Sequence, residues 1–264
     1  MKLPNQIFGI ETDEAYNSYL EESKKSPQPD KPKVVPISGS DRFSLENLVD
    51  SWMINGVNYR NGIYQVELGK ELLENKAQKT QDEWIKYTKQ AIQNNQFYLG
   101  DMQLYHSLFE ALFRNKDNAQ HKDVIEQARV FLQKTFESYW LMTLSRVKYT
   151  KQGQDKVTHN YGLQDKLEIQ GNIVGADGYI TQINPQNELN AILGRDDINE
   201  INQVYNWITG KNTYLWRLNS KPKKDDERVV RFYSDSDWSD LVCYRYLDDS
   251  GRGLAVRAKK ILKG

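Results

Sequence analysis

The sequence has a single cysteine, Cys243, which excludes an internal disulfide and any cysteine-based zinc set. Histidine is nearly as scarce: His106, His121 and His159 include no pair at the i, i+4 spacing of a helical metal site. Neither sign of charge is in excess, with 36 Lys plus Arg against 36 Asp plus Glu, so no global field favours nucleic acid or an acidic membrane surface. No apolar run approaches the length of a membrane span, and MKLPNQIFGIETDEAY meets Pro4 and polar residues before any stretch long enough for a signal peptide. A glycine loop followed by Lys and Ser or Thr, and a strand followed by GxGxxG, are both missing, which removes the usual phosphate cradles. The expectation is therefore a chain with no cofactor, no metal ion, no nucleic-acid partner and no membrane insertion.

Proline is also uneven. Four prolines crowd Ser23 to Ser40, SKKSPQPDKPKVVPISGS, a composition that favours an extended, hydrated linker. Thr12 to Glu22, with Tyr16, Tyr19 and Leu20 on one side, reads as a short helix before it. These residues, 1–40, form an N-terminal arm, and 41–264 a single domain.

Within that domain, Gly62 to Leu68 alternates as a strand with Tyr64, Val66 and Leu68 on one face. Thr80 and Glu83 have capping-box spacing ahead of a helix over 81–95 that carries Trp84, Tyr87, Ala91 and Ile92. Asp101 can cap a second helix with Leu104, Leu108, Ala111 and Leu112 as its stripe, and a third begins near Asp123 with Val124, Ala128, Phe131, Leu132 and Phe136. From Tyr139 the period becomes two: Trp140, Met142 and Leu144 face one way, and Leu141, Val147 and Tyr149 the other. KQGQDK, at 151–156, is a turn, and Val157 to Tyr161 can return as its hairpin partner. GNIVGADGY, at 171–179, lacks acidic residues where a calcium loop needs its first ligands. Pro185 to Leu193 reads as a short helix closed by Gly194, and Asp196 or Asp197 caps another containing Ile198, Ile201, Val204, Tyr205 and Ile208. Beyond Gly210 the pattern is strand and loop, with Tyr214, Trp216 and Leu218 alternating with Leu215 and Arg217. Helices in the middle and strands toward the end predict an α+β domain with a C-terminal antiparallel sheet.

The densest signal is Arg231 to Arg257, RFYSDSDWSDLVCYRYLDDSGRGLAVR. From Tyr233 to Arg252, five Asp, four Ser and three Tyr fill 12 of 20 positions. Tyr is a large amphipathic contact of low entropy cost, and Ser and Asp are small adaptable hydrogen-bonding groups, the mixture that antibody recognition loops use. Leu241 with Cys243, and Leu254 with Val256, share strand faces that can point inward. The residues left to carry a ligand are Tyr233, Ser234, Asp235, Ser236, Asp237, Trp238, Ser239, Asp240, Tyr244, Arg245, Tyr246, Asp248, Asp249, Ser250 and Arg252, within a surface spanning 214–257. Cys243 reads as a small buried apolar side chain.

TYLWRLN, ERVVRF, the Tyr/Ser/Asp-rich run and the closing RGLAVR together resemble the C-terminal part of a C-type lectin fold. More narrowly, they resemble the variable proteins of diversity-generating retroelements, whose closing strand often reads like GFRV. Gly253, Leu254, Ala255, Val256 and Arg257 hold the matching positions, with Leu254 and Ala255 departing from the pattern. The resemblance covers roughly the last 50 residues. It implies a C-type lectin-like fold with central helices, a C-terminal antiparallel sheet and an N-terminal extension. It also implies a binding protein whose ligand face is diversified by adenine-directed mutagenesis, directed at a protein or glycan on another cell or particle. Formylglycine-generating enzymes share a related branch, but their chemistry needs paired cysteines. Two other classes compete: a hydrolase or other enzyme using Asp235, Asp237 and Asp240, and a structural virion or assembly component.

Overall fold

The computed structural model describes residues 6–7, 10–11 and 43–261. The chain divides into two units, Met1–Ile37 and Ser38–Gly264. In the first, β1 (Gln6–Ile7) and β2 (Ile10–Glu11) pair antiparallel. The predicted Thr12 to Glu22 helix and the Ser23 to Ser40 linker lie outside the described residues.

In the second unit strands come before any helix. β3 (Ser44–Asn47), β4 (Ser51–Tyr59) and β5 (Gly62–Leu72) form an antiparallel meander. A four-residue helical segment, α1 (Leu73–Lys76), leads to α2 (Gln81–Gln93), β6 (Tyr98–Leu99), α3 (Met102–Arg114) and α4 (Lys122–Ser138). Next come β7 (Leu141–Tyr149), β8 (Asp155–His159), β9 (Leu167–Gly171), β10 (Gly178–Tyr179), and the helices α5 (Ile180–Ile183), α6 (Gln186–Leu193) and α7 (Ile198–Thr209). β11 (Thr213–Trp216), β12 (Asp226–Ser234), β13 (Ser239–Arg245) and β14 (Arg252–Lys260) close the chain.

These strands make one twelve-stranded mixed sheet in the order β10, β11, β13, β12, β7, β14, β5, β4, β3, with β6 paired to β14, β8 to β7 and β9 to β8. β7 is the fork: its first residues pair in parallel with β14, its last residues pair antiparallel with β8, and β12 runs along its other edge.

This architecture corrects the α+β, C-type lectin-like expectation. The fold is strand-dominated, and its sheet draws on the whole domain from Ser44 to Lys260 instead of its C-terminal end. Two features hid this from the sequence. The alternation of β4 is broken by a register shift between Ile54 and Val57, where Gly56 takes φ 79°, and a bulge of this kind moves the following side chains out of phase. The parallel pairings of β11 with β13 and of β7 with β14 join segments distant in sequence, and no local pattern announces such a pairing.

Local signals fare better. The Thr80/Glu83 capping box forms at the start of α2, the Asp101 carboxylate accepts from the Leu104 N–H at the start of α3, and Asp197 caps α7. Leu141, Val147 and Tyr149 enter the main core, while Met142 and Leu144 enter a second, smaller cluster beneath Trp84 of α2 on the opposite face. The main core centres on Phe232 of β12, which stacks on Phe136 of α4 at 4.8 Å and meets Tyr105 and Phe109 of α3 edge-on at 5.5 and 5.9 Å. Aromatic packing of this kind adds to simple burial. It also fixes β12 so that the residues flanking Phe232 point away from the core.

Candidate functional site

In a pleated sheet, residues in register on neighbouring strands share a face. Tyr214 and Trp216 of β11 stand opposite Asp240 and Val242 of β13, and Tyr233 and Arg231 of β12 stand opposite the same two residues. Their alternates Leu215, Leu241, Cys243 and Phe232 are buried in the main core, so the first set occupies the outer face.

Rings line this face. Tyr179 of β10 meets Tyr214 at 5.3 Å, Tyr214 meets Trp216 at 4.6 Å and Trp238 at 5.0 Å, and Trp216 meets Tyr244 at 6.2 Å. All five are half-buried, and none packs against either hydrophobic cluster. Trp238 is held by its own turn: the Asp235 carboxylate accepts from the N–H groups of Asp237 and Trp238, and the Ser234 hydroxyl donates to the Trp238 carbonyl. Trp216 Nε1–H donates to Asp240 Oδ1 at 2.7 Å. Burial pushes the Asp240 carboxyl up to about 6, helped by nearby Asp235 and opposed by the Trp216 hydrogen bond, Arg245 and Lys211.

Next to the row, Tyr233 stacks on Trp140 at 4.4 Å, and the Arg245 guanidinium lies 4.9 Å from the Trp140 ring and 5.2 Å from Tyr244. Buried Arg231 donates to the carbonyls of Asp249 and Ser250, which ties the β13–β14 loop to β12. Burial lowers its pKa to about 10, against the pull of Asp249 and with the help of Arg245. The Nε atoms of Arg231 and Arg245, and Asp249 Oδ2, are buried without a described partner.

The predicted site residues therefore separate by position. Ser236, Asp237, Tyr246, Asp248 and Ser250 are exposed; Tyr233, Asp235, Trp238, Tyr244, Arg245, Asp249 and Arg252 are half-buried; Ser234, Ser239 and Asp240 are buried. Ser234 and Ser239 pair across the β12–β13 hairpin, and the Ser234 hydroxyl accepts from Lys211 Nζ, so both serve the hairpin. Arg252 lies over Tyr139, in register with core-facing Leu141, and is not on the aromatic face. Tyr179, Trp140 and Arg231 join this face although the Tyr/Ser/Asp-rich composition does not point to them as ligand-carrying residues, and in the sequence Tyr214 and Trp216 stand out only as strand residues inside the 214–257 span. The alternation of Tyr214 and Trp216 with Leu215 was the available signal, but alternation does not say which face is covered.

The carboxylates of the enzyme alternative are engaged elsewhere. Asp235 holds a turn, Asp240 holds Trp216, Asp237 is exposed, and none of the three lines the clefts described in this fold. A buried hydroxyl–imidazole pair does exist: Ser145 Oγ is 2.8 Å from His159 Nδ1, and His159 Nε2 is 2.9 Å from the Ala191 carbonyl. The carbonyl requires the proton on Nε2, so Nδ1 accepts from the hydroxyl. Both side chains are fully buried and Ser145 Oγ also accepts from the Met102 N–H, which makes the pair a clamp between β7, β8 and α3. Among the described residues no group of three His, Cys, Asp or Glu side chains is gathered to hold a metal ion, and no helix is long and apolar enough to cross a membrane.

Comparisons with protein-family models, curated proteins and solved structures return no match to this chain.

Proposed function

We propose that this chain is a ligand-binding protein whose outer sheet face, from Tyr179 through Tyr214, Trp216 and Trp238 to Tyr244, recognises a protein or glycan on another cell or particle. One observation carries the reading: a continuous row of half-buried rings that packs against neither hydrophobic cluster. Rings held by turns and strand register lose little entropy on binding, and Tyr, Trp and Arg supply most of the energy of recognition surfaces. Half-buried Arg245, over the rings of Trp140 and Tyr244, adds a cation at the edge of the row.

The composition of Tyr233 to Arg252 supports a second part of the proposal, that this segment is diversified as in the variable proteins of diversity-generating retroelements. The buried Ser234, Ser239 and Asp240 would then be held constant, and Ser236, Asp237, Tyr246, Asp248 and Ser250 would vary. A near-copy of the coding segment differing at adenines, beside a reverse-transcriptase gene, is the expected genomic signature; its absence removes the diversification claim.

The binding claim is tested by screening the purified chain against arrayed glycans and cell-surface proteins, then repeating the hits with the Tyr214→Ala/Tyr244→Ala double variant. The expected result is at least a tenfold loss of affinity, about 1.4 kcal/mol, with a melting temperature within a few degrees of the parent. Unchanged affinity, or a collapse of stability showing that the two rings are core, would overturn the reading.

A further inference from the structure

The largest cleft described in this fold, about 610 Å³, lies between the end of β5, α1 and the C-terminal half of α4. Its volume is in the range of small-molecule sites. Three cations line it, Lys70, Lys76 and Lys134, with Glu71 as the acid among its lining residues. Glu74, on the same segment as Lys76, is paired with Lys79. Lys70 is tethered by its ammonium to the carbonyls of Leu48 and Val49, while Lys76 and Lys134 have no described carboxylate within salt-bridge distance. The floor is different in kind: Leu72 and the rings of Phe131 and Tyr139. Behind Tyr139, the Arg252 guanidinium lies 4.4 Å from the ring with its buried Nε unpartnered.

The backbone at the rim is strained. Glu74, Asn75 and Lys76 take φ 46°, 52° and 69° in succession, and a run of left-handed non-glycine residues costs on the order of 1–2 kcal/mol per residue. Strain of this kind persists where the surroundings hold it, and it gathers at binding sites. Asn75 and Lys76 of this left-handed turn line the cleft together with Lys134.

We infer that this cleft binds a small oxyanion-bearing molecule, a phosphate or sulfate monoester with a flat apolar body, its anion between Lys76 and Lys134 and its body on Phe131 and Tyr139. The two halves of the lining call for the two halves of such a ligand: ammonium groups for the charge, ring faces for the body. The site is independent of the aromatic face, so either can fail without the other.

Titration calorimetry on the full chain with phenyl phosphate, phenyl sulfate, inorganic phosphate and phenol tests it. The esters are expected to bind at least tenfold more tightly than inorganic phosphate and phenol. Lys134→Gln and Lys76→Gln should each weaken the esters about tenfold, and Lys134→Arg should restore most of the loss. Lys122→Gln, on the first turn of α4 and away from the cleft, serves as the control and should change nothing. Equal affinity for phenol and its esters, absence of measurable ester binding at millimolar concentration, or equal loss in the control variant would overturn the inference.

Discussion

Buried titratable side chains set how this protein responds to acid. His106, stacked on Tyr205 at 5.7 Å, is pushed down to about 3, mainly by burial and then by Arg195 and Arg114, with Glu200 opposing. His159 is lowered too, again chiefly by burial. Both are neutral in the fold and take up a proton more readily when unfolded, so the stability they contribute is present above the ordinary histidine pKa near 6.5 and is lost as pH falls below it. Asp240 has the opposite sign: its raised pKa gives stability that is present below the ordinary carboxylate value and lost as pH rises through about 6. Two fully buried imidazoles outweigh one partly screened carboxyl. The urea midpoint is therefore expected to fall between pH 6.5 and 4, with a shallower slope in His106→Gln and a steeper one in Asp240→Asn. A midpoint that rises over this range would contradict the assignment. Cys243 belongs to the same class of group: burial on the core face of β13 pushes its thiol up to about 12, which matches a sequence position between Val242 and Tyr244 that reads as a small apolar side chain.

At the scale of elements, α3 depends on one carboxylate. Asp101 caps the helix through Oδ1, and its Oδ2 accepts from the Tyr59 hydroxyl at 2.7 Å and from Arg60 at 3.0 Å, which binds α3 to β4. Asp101→Ala removes the cap and leaves two polar groups without their partner, a loss expected to be about 3 kcal/mol or more. Asp101→Asn keeps one acceptor oxygen, enough to take the Leu104 N–H, and its NH2 can donate to the Tyr59 hydroxyl but not to Arg60, so it should cost less than Asp101→Ala; equal losses in urea titration would mean that the Arg60 contact alone decides. This cap, like those of α2 and α7, was legible in the sequence because capping is chemistry within four residues. β3 and β4 were not legible, since the Gly56 bulge shifts the alternation halfway along β4. The left-handed α1 was also invisible: nothing in Leu73 to Lys76 marks it apart from Asn75, a residue tolerant of that region.

Over the whole molecule, β14 is the strand that holds the sheet together. It pairs with β5 along most of its length, with β6 and with β7. Just before it, the Gly251 carbonyl accepts from Trp84 Nε1–H at 2.9 Å, and a Cβ at Gly253 would come within 2.8 Å of Leu73 Cδ1, so the chain here is packed as closely as glycine allows. A chain ending at Ser250 loses the strand between the two halves of the sheet. Calorimetry is expected to show no single cooperative transition for it; a sharp transition near that of the full chain would mean that each half folds alone.

What the sequence determined by itself is local: three helix caps, the two faces of β7, the inward pairs Leu241/Cys243 and Leu254/Val256, and the concentration of Tyr, Ser and Asp near the C-terminus. Each rests on neighbours within one or two turns or strand periods. Tertiary structure decided the rest. Register across β11, β13 and β12 brought Tyr214 and Trp216 beside Asp240 and Arg231, pairing of β10 with β11 added Tyr179, and the parallel join of β14 to β7 turned Arg252 away from that face. Such pairings are chosen by which faces can be buried together, and that is a property of the assembled sheet, not of any one strand.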